Sequence, residues 1–83
     1  MIEGPALTAI RNDASTLPQS PDALLTPAQV SAWTQLDEQT LANARWRRTG
    51  PTYIKLGTGR SAPVRYRRRD VEKWLAEQTV EAA

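Results

Sequence analysis

Apolar residues recur at helical spacing in three stretches of this chain and alternate with polar ones in two others, with start and stop signals between them. The first helical stretch opens on Thr26-Pro27-Ala28-Gln29, the pattern of a capping box with proline at the first helical position. Val30 and Trp33, three apart, give it a narrow apolar face, and small Ser31 leaves room for a second helix to cross. Asp37 is the expected N-cap of the second helix, with Glu38 in its first turn where a carboxylate suits the helix dipole. Leu41, Ala44 and Arg45 share one face, completed by the aliphatic stem of Arg48, and Gln39, Ala42, Asn43, Trp46 and Arg47 fall elsewhere. Only Thr34 to Leu36 separate the two helices, a turn's length.

Thr49-Gly50-Pro51 predicts the stop, Gly50 taking a left-handed conformation and Pro51 preventing continuation. Tyr53 to Leu56 and Val64 to Arg67 then alternate, Ile54 and Leu56 forming one apolar face, Val64 and Tyr66 another. Gly57 to Pro63 join them as a loop longer than a tight hairpin requires. A last helix is expected from Arg68 or Arg69 to about Thr79, with Val71, Trp74, Leu75 and Gln78 on one stripe.

These elements predict a mainly α fold with a small β-hairpin: a winged helix-turn-helix of three helices plus a two-stranded wing, spanning residues 24–79. Residues 1–23 hold Pro5, Pro18 and Pro21 without sustained periodicity and are expected to form a flexible tail, with Leu7 and Ile10 able to make a single helical turn. Residues 80–83 are expected to fray. With no phenylalanine, Trp33 and Trp74 are expected in the core and Trp46 against the base of the wing.

Composition narrows the function. An 83-residue chain with mean hydropathy -0.56 is expected to be a soluble protein with a small core. It has neither cysteine nor histidine, which excludes disulfides, thiol chemistry, imidazole bases and the usual zinc ligands. No carboxylate pair stands with a nucleophile, so no enzyme, cofactor or metal is expected. Nothing reads as a signal peptide or a membrane span, so a cytoplasmic, nucleoid-associated protein without a small-molecule ligand is expected.

The net charge of +2 conceals a strong asymmetry. Ten of the eleven basic residues lie between Arg45 and Lys73, opposed there only by Asp70 and Glu72, for a local charge of +8, whereas residues 1–24 carry -2. Arginine outnumbers lysine nine to two, which favours forked contacts to phosphate or guanine edges.

The runs Leu25 to Ser31, Leu36-Asp37, Thr40-Leu41, Trp46-Arg47, Gly50 to Gly57, Val64 to Arg68 and Asp70 to Leu75 together resemble the winged helix-turn-helix of excisionases and AlpA-like regulators, distant relatives of MerR DNA-binding domains. The resemblance covers roughly residues 24 to 77. Gln35 stands where that family often has glycine, Thr34 where it often has leucine and Ala44 where it often has tryptophan. It implies a recombination directionality factor that binds adjacent sites near an attachment site, bends DNA and promotes excision of a mobile element by an integrase. An AlpA-like transcriptional regulator is the alternative within the same fold; a small interaction adaptor with a basic surface is the alternative of another class.

On the DNA-binding reading, the second helix enters the major groove of double-stranded DNA. Gln39 and Asn43 are the candidates for base edges, because amides pair bidentately with adenine. Arg45, Arg47, Arg48, Arg67 and Arg68 are the candidates for phosphate, and Arg60 with Ser61 at the wing tip for the backbone or the adjacent minor groove. Arg67 to Arg69 cannot all face one way, so some are expected to serve the core edge or a neighbouring protomer. A head-to-tail array on DNA, wing against the first helix or acidic tail of the next copy, is expected in place of a preformed dimer.

Overall fold

The computed structural model describes residues 17–81. These form β1 (Leu24–Leu25), α1 (Pro27–Thr34), α2 (Glu38–Arg47), β2 (Ile54–Lys55), β3 (Val64–Arg67) and α3 (Arg68–Gln78). The result is a small α/β domain: three helices and one antiparallel sheet with strand order β1-β3-β2 among the described residues.

Local chemistry sets the starts of α1 and α2. The Gln29 N–H donates to Thr26 Oγ1 at 3.1 Å while the Thr26 N–H donates to Gln29 Oε1 at 2.9 Å, so the capping box closes in both directions. At α2, the Thr40 N–H donates to Asp37 Oδ1 at 2.7 Å. Hydrogen bonds from Thr40, the side-chain interaction first and the backbone one second, hold the Asp37 carboxyl below its ordinary value.

The helix ends differ from expectation. Gln35 closes α1 at φ 63° and Arg48 closes α2 at φ 61°, both left-handed, and each backbone N–H returns to a carbonyl of its own helix. Gly50 is therefore not the left-handed residue. Its lack of a side chain serves close approach, since a Cβ there would stand 2.9 Å from the Ala44 Cβ. Because the chain turns at Arg48, this side chain is exposed and does not complete the inner face of α2.

The hairpin β2–β3 is part of a larger sheet than the two-stranded one expected. Leu24 and Leu25 pair with Arg67 and Tyr66 along the other edge of β3. Registers of Leu25 with Tyr66 and of Lys55 with Val64 put these four side chains on one face, while Leu24, Arg67, Arg65 and Ile54 share the other. The apolar pair Ile54 and Leu56 thus lies opposite the core face, with Leu56 exposed. Leu17, Leu25, Val30, Leu41, Tyr66 and Val71 form the core, flanked by Trp33, Leu36, Val64 and Leu75. Val71 and Leu75 occupy the expected stripe of α3, but Gln78 is exposed. Trp74 stands outside that cluster, its indole N–H donating to the Thr49 carbonyl at 3.1 Å. It fastens α3 to the segment after α2.

The flexible tail expected over residues 1–23 is corrected for residues 17–23. Leu17 is 5% exposed within the core, the Arg68 and Arg69 N–H groups donate to the Ala23 and Pro21 carbonyls, and Asp22 pairs with Arg69 at 3.1 Å. Leu17 supplies apolar burial of about 2 kcal/mol, which sets this segment apart from a free tail. The expected turn at Leu7 and Ile10 lies outside the described residues. At the other end Val80 is exposed.

Candidate nucleic-acid interface

Residues 39, 43, 46 and 47 follow the i, i+4, i+7, i+8 spacing of one helical face. Leu41 on the other side of α2 is buried, so Gln39, Asn43, Trp46 and Arg47 all face solvent. Gln39 Nε2 donates to Asn43 Oδ1 at 3.1 Å. That bond leaves the Asn43 amide group free to donate and its oxygen with a second lone pair, the two functions that an adenine edge requires. Gln39 thus orients Asn43 as well as presenting an amide of its own.

Arg45 ties this helix to the hairpin. Its Nη1 donates to the Tyr66 phenol oxygen at 2.7 Å, and its guanidinium carbon lies 5.9 Å from the Tyr53 ring centroid. Tyr53 and Tyr66 rings are 6.4 Å apart and tilted, extending the same packing. Tyr66 is fully buried, so the bond to Arg45 satisfies a hydroxyl that would otherwise be orphaned. Arg45 is consequently a half-buried strut whose positive charge stays at the junction.

Between α2 and the hairpin lies an open cleft lined by Ala42, Arg45, Trp46, Tyr53, Lys55 and Arg60, together with Ala62 and Val64 from the hairpin. Three cations and two aromatic residues line it, and no carboxylate does. Arg60 and Ser61 sit exposed on the hairpin loop, where the Ala62 N–H donates to the Gly59 carbonyl and Gly57 takes φ 132°. Arg47 and Arg48 are exposed at the end of α2. Among the described residues none of Arg45, Arg47, Arg48, Lys55, Arg60 and Arg65 makes an ion pair.

Arg67 and Arg68, expected at phosphate, are occupied by their own chain. The Arg68 side chain is only 15% exposed, stacks 4.5 Å from the Trp33 ring centroid, and donates to Glu72 at 3.2 Å and to the Pro18 carbonyl at 3.1 Å. Arg67 pairs with Asp70 at 3.9 Å. Carboxylates one turn further along α3 meet both guanidinium groups, and Trp33 and the Pro18 carbonyl, distant in sequence, also engage Arg68, so the charge run divides into a neutralised part and an open part.

Three residues of the cleft were not among the binding candidates read from the sequence: Trp46, Tyr53 and Lys55. Trp46 was expected to pack against the hairpin base and is instead 86% exposed. The signal for Lys55 was its alternation with Ile54, which places it on the Val64 face. Comparison with family models, characterised proteins and solved structures gives no match.

Proposed function

We propose that this chain is a sequence-specific, non-enzymatic DNA-binding protein of the winged helix-turn-helix kind, acting as an excisionase. The observation that carries this reading is the solvent-facing row of Gln39, Asn43, Trp46 and Arg47, flanked by a carboxylate-free cationic cleft. α2 enters the major groove with Asn43 on an adenine edge, Gln39 orienting it, and the hairpin acts as the wing. Arg47, Arg48, Lys55 and Arg60 take phosphates, with Arg45 adding charge from the junction.

As an excisionase it occupies adjacent sites near an attachment site, bends the duplex and biases an integrase toward excision. Copies line up head to tail, the cationic hairpin of one against the first helix of the next. Asp22 contributes little to that contact, since it already faces Arg69 of its own chain. The AlpA-like role in transcription uses the same surface and differs in where the sites lie.

A footprint and gel shift over the neighbourhood of the gene test the reading. Repeated sites at an attachment region support excision, a site overlapping a promoter supports regulation, and no retarded duplex in low salt overturns both. Asn43→Ala should narrow the gap between target and random duplex by roughly 1 to 3 kcal/mol. An equal loss on every sequence would remove Asn43 from base reading.

A further inference from the structure

Trp46 has no structural occupation in this fold. The other two tryptophans do: Trp33 packs on the core beneath Arg68, and Trp74 donates its indole N–H to Thr49. Trp46 is 86% exposed, and among the described residues no hydrogen bond engages its indole N–H. An exposed indole in the middle of a cationic surface favours a partner that presents an apolar group surrounded by negative charge.

Its position specifies which group. Trp46 follows Asn43 by three residues on α2, so the two side chains are neighbours on one face, about 5 to 6 Å apart at Cβ. If Asn43 reaches a base edge, Trp46 reaches the next base pair or its neighbour, on the side toward the hairpin. The only apolar group displayed along the floor of the major groove is the C5-methyl of thymine. Lys55 and Arg60 across the cleft meet the phosphates beside that base, and no carboxylate lines the cleft to repel them.

We propose that Trp46 is a specificity-determining residue that packs its indole on a thymine methyl at the edge of the major groove, beside the base pair read by Asn43. The proposal rests on the DNA-binding reading above and adds a second, non-ionic element to it. An apolar contact releases no counterions, so it contributes equally at every salt concentration, unlike the arginines around it.

The test uses the full chain and a duplex selected from a random pool with the unaltered protein. W46A should leave the thermal midpoint unchanged, because so exposed a side chain supports no packing. It should weaken binding to the selected duplex roughly tenfold with the salt slope unchanged, while W46F retains most of the affinity. Replacing the contacted thymine by uracil removes only the methyl group; it should cost the unaltered protein about fourfold and W46A nothing. Several results would overturn the assignment: W46A binding like the unaltered protein, a changed salt slope, or equal sensitivity of both proteins to uracil. W46A that fills a single site normally but loses cooperative filling of neighbouring sites would reassign Trp46 to a protein contact. Failure of the unaltered protein to retain any duplex in low salt removes the DNA reading itself, a result separable from all of these.

Discussion

Two groups of arginines, adjacent in charge plots and similar in composition, have opposite fates in this molecule. Arg67, Arg68 and Arg69 at the β3–α3 junction each meet a carboxylate, respectively Asp70, Glu72 and Asp22. The cations of α2 and the hairpin meet none among the described residues. The difference comes from placement. Asp70 and Glu72 lie one turn along α3 from Arg67 and Arg68, and residues 17–23 cross β3 and α3 to bring Asp22 and the Pro18 carbonyl within reach, whereas α2 turns its charged end to solvent. A sequence run of positive charge is therefore not one surface, and its two parts contribute to different properties.

The largest expected effect concerns the open group. With about five cations at phosphates, log K should fall with log salt at a slope near -4 to -5, a loss of roughly 250- to 1000-fold between 50 and 200 mM. Arg47→Ala and Arg60→Ala should each make the slope shallower by about 0.9 without altering thermal stability. Measuring affinity across a salt series checks this; a slope near zero abolishes the distinction between the two groups.

The junction should respond in stability instead. Leu17→Ala should cost about 2 to 4 kcal/mol, lowering the thermal midpoint by many degrees, because it empties a site under the crossing segment. An unchanged midpoint would mean that residues 17–23 contribute nothing to the fold. Arg68→Ala should cost about 1 to 3 kcal/mol through loss of the stack on Trp33 and the bond to Pro18, with little from the half-exposed Glu72 pair. Its salt slope for DNA should stay that of the unaltered protein, and a slope shallower by one contact would move Arg68 into the open group.

The smallest effect sharpens the comparison at the far end of α2. Asp37 is an acidic group near the open face, but its oxygen is held by Thr40. Its folded-state pKa is lowered, so the capping contribution is complete above the ordinary carboxylate range and is lost as pH falls through the lowered value. Asp37→Asn should keep the cap and remove that part of the acid dependence, read from melting curves at descending pH. Identical acid profiles for the two proteins would refute the assignment.

Much of this was legible from local rules, and the misses share a cause. Thr26 and Asp37 announced the starts of α1 and α2, because a cap is decided within four residues. The outward face of α2 was legible in part: Leu41 marked the inner side and Gln39, Asn43 and Arg47 the outer, whereas the apolar character of Trp46 pointed inward and misled. By contrast, β1 has two residues and no period to read, and Leu17 is a single apolar residue among prolines. Arg68 looked like its neighbours until Trp33 and Pro18, remote in sequence, closed around it. Left-handed turns were assigned by residue type to Gly50, whereas hydrogen bonding at the helix ends placed them at Gln35 and Arg48. The cleft arises from two elements meeting, so neither α2 nor the hairpin displays it alone.

The crossing of residues 17–23 over β3 and α3 also dictates an order of assembly. The capping box joins residues three apart, and the hairpin closes across one loop, but the Arg68 bond to Pro18 spans 50 residues. Closing that long loop carries the larger entropic cost, so helices and hairpin should form first and the leading segment should dock last. During synthesis the sequence order runs the other way. Leu17 leaves the ribosome ahead of Arg68 by about 50 residues, a delay of roughly three to ten seconds at ordinary elongation rates. Leu17 shares its core with Val71 of α3, so its burial is completed only after that helix has emerged.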